Sequence, residues 1–147
     1  MKCKFNKVFG LLLALVVMNS FQLMAQYKTS IKVGSERFGE YLPSLKEKRV
    51  AIIGNQTSMV GSIHLVDTLL SLGIEVIKVF APEHGFRGNA DAGEKVSDGK
   101  DSKTGLPILS LYGRKNRKPS VDKLLDIDVV IFDIQDVGAR FYTYIST

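Results

Sequence analysis

Three stretches of this 147-residue chain hold side chains that could do chemistry: Asn55-Gln56-Thr57-Ser58, Pro82-Glu83-His84-Gly85-Phe86-Arg87-Gly88, and Asp133-Ile134-Gln135-Asp136-Val137-Gly138-Ala139-Arg140. Carboxylates, amides, hydroxyls and guanidinium groups dominate them, and Tyr142 and Tyr144 follow the third closely. The lone cysteine, Cys3, lies at the N-terminus, so thiol catalysis has no nucleophile in the body of the chain. There is no G-x-S-x-G elbow and no Walker A loop, and Gly54 stands alone where a dinucleotide fingerprint needs three glycines. His84 by itself cannot make a zinc site. The inventory implies no metal and no cofactor, and it suits a sugar substrate.

Each group also has a plainer use. Asn55 to Ser58 could cap the helix that follows, because such side chains satisfy orphan backbone donors. Glu83 and His84 could form a surface ion pair, although the glycines on both sides of Phe86 suggest a backbone shaped for close approach. Asp133 could cap a turn, and Asp136 could pair with Arg140 at four-residue spacing on a helix face. Tyr142 and Tyr144 could be core or rim aromatics, and His64 reads as the exposed start of a helix.

The elements that must position these residues can be read from apolar periodicity. Arg49 to Gly54 is a short β-branched run stopped by glycine, as a buried parallel strand would be. Ile63, Leu65, Val66, Leu69, Leu70 and Leu72 recur at helical spacing, with Ser62 as N-cap and Gly73 just past the end. Ile74 to Phe80 is a second strand, which completes a strand-helix-strand unit of the parallel, right-handed kind. Ala81 to Gly105 has five glycines and no period, and ordered loops of that length usually serve a site. Pro107 to Leu111 reads as a strand, Ser120 to Leu125 as a short helix capped by Ser120, and Asp128 to Asp133 as a strand. This alternation means α/β with a mostly parallel sheet and helices on both faces. In such sheets ligands bind beyond the carboxyl ends of the strands, where all three polar stretches fall.

The N-terminus reads as a secretion signal. Lys2, Lys4 and Lys7 precede the apolar run Gly10 to Met18, and Ala25 offers a cleavage point before Gln26. Residues 1–25 are therefore excluded from the fold, the mature protein is expected in the periplasm or outside the cell, and contact with the membrane is expected only during export. Removing the three lysines lowers the formal charge from +5 to +2. A chain so near neutrality gives no electrostatic case for nucleic acid. The basic run Arg114 to Lys118 reads as a solvated turn. Residues 26–147 end straight after a strand, which leads us to expect the N-terminal part of a longer domain, incomplete at its C-terminal end.

The strings GNQTS (54–58), FAPEHGFRG (80–88), DAGE (91–94), TGLPILSLYG (104–113) and VVIFDIQDVGARFYTYIST (129–147) resemble the peptidoglycan exo-β-N-acetylmuramidase family. The resemblance covers roughly residues 31–147, in order. It implies a Rossmann-like N-terminal domain that shares a cleft with a C-terminal domain. It also implies a glycoside hydrolase that releases N-acetylmuramic acid from the non-reducing ends of peptidoglycan fragments, in cell-wall recycling or scavenging. The matching polar positions are Asn55, Gln56, Thr57, Glu83, His84, Arg87, Asp133, Gln135, Asp136, Arg140, Tyr142 and Tyr144.

Glycoside cleavage asks for a protonated carboxylic acid and a second carboxylate as base or nucleophile. Glu83, beside Phe86, is the expected acid, its pKa raised by desolvation. Asp133 or Asp136 is the expected second carboxylate, with His84 orienting Glu83. Arg87 and Arg140 could hold the lactyl carboxylate of muramic acid, and Asn55, Gln56 and Thr57 could read hydroxyl or acetamido groups. A sugar-binding module without chemistry, or a hydrolase of another modified sugar, would use the same residue types.

Overall fold

The computed structural model describes residues 9–13, 16, 31–88, 97–112, 118–139 and 144–146. The expected cleavage point at Ala25, the string 91–94, most of the basic run 114–118, Arg140 and Tyr142 lie outside them. Residues 1–32 and 33–147 are separate compact units. In the first, residues 9–13 and 16 are helical and exposed. Among the described residues no helix is long and apolar enough to cross a membrane.

The second unit runs α1 (Phe38–Leu45), β1 (Val50–Gly54), β2 (Met59–Val60), β3 (Ile63–His64), α2 (Leu65–Ser71), β4 (Val76–Ala81), β5 (Gly99–Lys100), β6 (Pro107–Ser110) and β7 (Val129–Asp133). Five strands form one sheet in the order β5-β6-β4-β1-β7, parallel except for β5. β1 lies between β4 and β7 and is buried along its whole length, which is why its sequence is continuously apolar instead of alternating. From β1 the chain builds outward through β4 to β6, then returns to the other side of β1 to lay down β7. The order reverses between β1 and β7, the switch point of a doubly wound sheet.

α2 begins two residues later than periodicity implies. Ser62 is not its cap: the N-cap is His64, whose ring accepts a hydrogen bond from Val66 N. Between β1 and α2 the chain makes the small β2–β3 hairpin, too short to show a period. At the other end Gly73, at φ +76°, lets its own N–H reach Leu70 O and that of Ile74 reach Leu69 O. This pair of bonds is a Schellman stop, and Leu69 and Ile74 pack in the same core beneath it.

α1 and α2 lie on one face of the sheet. Tyr41, Leu42 and Leu45 of α1 and Leu65, Val66 and Leu69 of α2 cover Val50, Ile52, Val76 and Val79. α1 was hidden in the sequence because Gly39 and Pro43 interrupt its pattern. On the opposite face, Ala51, Ile53 and Phe80 are met by Leu124 and Ile127, which follow the 3-10 turn Val121–Lys123. In place of the expected helix from Ser120 to Leu125 the chain makes only this short turn, and the Ser120 side chain makes no capping hydrogen bond. Val130 and Phe132 on that face remain 43% and 44% exposed.

Candidate active site

The ends of β1 and β7 are stitched together. Gly54 pairs with Asp133, and the Ser58 hydroxyl donates to the Asp133 carbonyl while accepting from Asn55 N at 3.0 Å. Asn55 is wholly buried; its side-chain oxygen accepts from Thr57 N at 2.9 Å and from the Thr57 hydroxyl at 2.7 Å. That hydroxyl in turn accepts from Gln135 N at 3.1 Å, so the loops after β1 and β7 form one hydrogen-bonded body. Asn55 and Thr57, expected from the sequence to read a substrate, thus spend their side-chain oxygens on backbone and on each other. Gln56 is exposed and lies against Gly88. Asn55 Nδ2 and Asp133 Oδ2 are buried with no partner among the described residues.

His64 is buried, not solvent-exposed. Its Nδ1 accepts from Val66 N at 3.3 Å, so its proton lies on Nε2, which donates to Asn55 O at 3.0 Å. Burial pushes its pKa down, and the ring stays neutral. Phe86 packs edge-on against it at 4.5 Å between centroids. The Phe86 ring is part of the core. Burial raises the pKa of the Asp133 carboxyl, which borders a cavity of about 370 Å³ with Tyr41, Leu45, Leu65 and Ile131.

Glu83 is half-buried at the rim beyond β4. Ala81 and Ser110 are register partners, and Leu111 N bonds Ala81 O at 2.8 Å, so the next positions outward set Glu83 beside Tyr112. Glu83 raises the pKa of the Tyr112 phenol, through hydrogen bonding first and then through its charge. Tyr144 reaches the Glu83 carbonyl at 3.4 Å. Tyr112 was not singled out from sequence, although it stands in the string SLYG. His84 adopts a left-handed backbone at φ 70° and makes no hydrogen bond to a described residue, so it does not orient Glu83 in that way.

Arg87 is held on both sides by carboxylates. Nε and Nη2 donate to Asp101 at 2.7 and 2.8 Å, and Nη2 and Nη1 donate to Asp67 at 2.9 and 3.2 Å. These bonds raise the Arg87 pKa and hold both aspartates below the usual carboxylate range. Lys103 completes the group on Asp67 at 2.7 Å. Four of the five N–H donors of the guanidinium that the sequence reading set to hold a lactyl carboxylate are thus used on Asp101 and Asp67. Sequence reasoning missed Asp67 and Asp101; the only local signal was the turn Asp101 to Gly105, where Asp101 accepts from Thr104 N and Oγ1. Asp136 is exposed and accepts from Gly138 N at 2.9 Å, and the side chain of Gln135 is exposed. Among the described residues no three His, Cys, Asp or Glu side chains converge as a metal site requires.

Fold and site together define a doubly wound α/β domain that gathers carboxylates, amides and a tyrosine at the carboxyl edge of its sheet. The chain belongs to the family described as exo-beta-N-acetylmuramidase NamZ, N-terminal, whose model matches residues 50–147. It is 45% identical over 112 residues to the peptidoglycan beta-N-acetylmuramidase NamZ of Bacillus subtilis (strain 168), covering 74% of this chain and 26% of that protein. Two crystal structures of DUF1343 family proteins from Bacteroides fragilis NCTC 9343 share the fold, each at a TM-score of 0.63. One is 51% identical over 77% of this chain and 28% of its own, the other 42% identical over 74% and 27%. The chain thus spans about a quarter of the length of the relatives it matches.

Proposed function

We propose that this chain is the N-terminal part of an exported exo-β-N-acetylmuramidase, a glycoside hydrolase that removes N-acetylmuramic acid from the non-reducing ends of peptidoglycan fragments. The observation that carries the chemistry is the pairing of Glu83 with Tyr112 beyond the ends of β4 and β6. Glu83 is the general acid that protonates the leaving oxygen, and the phenol fixes the direction of its carboxyl group. Asp136, exposed beyond β7, suits the second carboxylate better than Asp133, whose Oδ2 is buried and whose side chain borders the Tyr41 cavity. The exposed amides of Gln56 and Gln135 are suited to read the sugar. Export is supported by the lysines and apolar run at the N-terminus, and N-terminal sequencing of the secreted protein should return Gln26 or a neighbour.

The test is Glu83→Gln in the protein of full family length. The amide keeps the size of the side chain but cannot give up a proton as an acid, so turnover of a β-N-acetylmuraminide should fall by ~10²–10⁴ while muramic acid still binds. Loss of binding with unchanged turnover per bound substrate would make Glu83 a ligand, and no change in either would remove it from the site.

A further inference from the structure

Arg87 fixes the loop that carries Glu83, and we propose that it is a positioning residue for Glu83 and not a ligand for the substrate's carboxylate. The inference rests on the reading of Glu83 as general acid. Of the five N–H donors of a guanidinium, four are used here, two on Asp101 and two on Asp67. Asp67 belongs to α2, in the crossover from β1 to β4, and Asp101 lies in the turn that leads from β5 into β6. One side chain therefore joins the loop after β4 to the connections on both sides of it.

The anchor extends inward. The guanidinium carbon lies 4.7 Å from the centroid of the Phe86 ring, that ring packs on His64, and His64 donates to the Asn55 carbonyl at the end of β1. Gly88 closes on Gln56 from the other side. Glu83 is thus suspended between two fixed points, Pro82 at the end of β4 and the Phe86–Arg87 pair. The turn between them passes through positive φ at His84 and Gly85 and is closed by Gly85 N on Pro82 O at 3.1 Å. Arg87 and Lys103 are balanced by Asp67 and Asp101, so an incoming carboxylate would have to displace an aspartate. A general acid has to meet the leaving oxygen at hydrogen-bond distance, and a misplacement of ~1 Å can cost ~10² in rate.

The test uses the protein of full family length and three variants, Arg87→Lys, Glu83→Gln and the double. Lysine keeps the charge but cannot bridge two carboxylates with paired bonds. Turnover of a β-N-acetylmuraminide by Arg87→Lys should fall ~10–10²-fold, with KM and the preference for N-acetylmuramic acid over N-acetylglucosamine as inhibitors held within about twofold. The loss should vanish in the Glu83→Gln background, because the group being positioned is already disabled. A raised KM with lost preference for muramic acid would overturn the inference and restore Arg87 as a ligand; so would a full, multiplicative loss in the Glu83→Gln background. If Glu83→Gln alone turns over normally, it is the reading of Glu83 that fails. Hydrogen exchange then decides on Arg87: faster exchange of the 82–88 amides in Arg87→Lys supports the anchor, and unchanged exchange overturns it. Should Arg87→Lys fail to fold, Asp67→Asn, which leaves the Asp101 bonds in place, is read in the same way.

Discussion

A Cβ placed on Gly88 would lie 3.0 Å from the Cβ of Gln56, so the loops after β4 and β1 touch with no room for a side chain between them. Gly88 also sits at φ +73°, where an L-residue is strained by ~1–2 kcal/mol. Gly88→Ala should therefore lose more stability in urea unfolding than Gly105→Ala, whose φ of +74° is similar but whose Cβ would meet nothing within 4 Å. The difference isolates the loop-to-loop contact. Equal losses would mean that Gln56 moves aside freely and that the two loops are not held together here.

The pH dependence of stability has a contribution from His64. Its folded pKa is depressed by burial, so as pH falls the unfolded chain takes up the proton first, from about pH 6.5. The stability tied to the neutral ring is fully present above that pH and is lost as pH falls toward the folded value. Below that value the proton would also have to enter Nδ1, which accepts from Val66 N. His64→Asn can still cap α2 but does not titrate, so its urea midpoint should vary less than that of the wild type between about pH 6.5 and 5. Parallel pH profiles for the two proteins would refute this account.

How much of this was legible in the sequence depends on where the information lay. β1, β4, β6 and β7 could be read because Val50 to Gly54, Val76 to Ala81, Pro107 to Ser110 and Val129 to Asp133 are apolar runs bounded by turn residues. α1 was missed because Pro43 and Gly39 speak against a helix and only packing of Tyr41, Leu42 and Leu45 on the sheet overrides them. The partners of Arg87 were not legible at all, since Asp67 and Asp101 lie 20 and 14 residues away and only the fold brings them together. His64 was misread for the same reason: a histidine at a helix start looks exposed until Phe86 is laid over it.

Asp133 should contribute the opposite pH trend. Its folded pKa is raised by burial, so as pH rises the unfolded chain ionises first, near pH 4, and the native state loses stability until the folded carboxyl also ionises. The loss then persists at neutral pH. Asp133→Asn has no charge to desolvate, so its stability relative to wild type should be more favourable at pH 7 than at pH 3. A relative stability independent of pH, measured by denaturant unfolding at both values, would mean that the carboxyl is hydrated in solution.

The join between β1 and β7 makes a more demanding prediction. A Cβ on Gly54 would lie 2.7 Å from Ser58 Oγ and 3.3 Å from Ile52 Cγ2, and that same Oγ bonds Asn55 N and the Asp133 carbonyl. Gly54→Ala must therefore drive the Ser58 hydroxyl off both partners, in a place where Ser58 and Asn55 are fully buried. Ser58→Ala removes the same hydroxyl without a clash and leaves the Asn55 N–H and the Asp133 carbonyl unserved, at a cost of ~1–3 kcal/mol. Each single change should destabilise the protein, but the double variant should lose distinctly less than the sum, because the first substitution's main damage is already done once the hydroxyl is gone. The expected coupling is ~1 kcal/mol or more, well outside the few tenths by which independent sites depart from additivity. Additive losses in a denaturant cycle would show that Gly54→Ala acts through Ile52 or the backbone, and that the Ser58 hydroxyl is not what holds the two strand ends together.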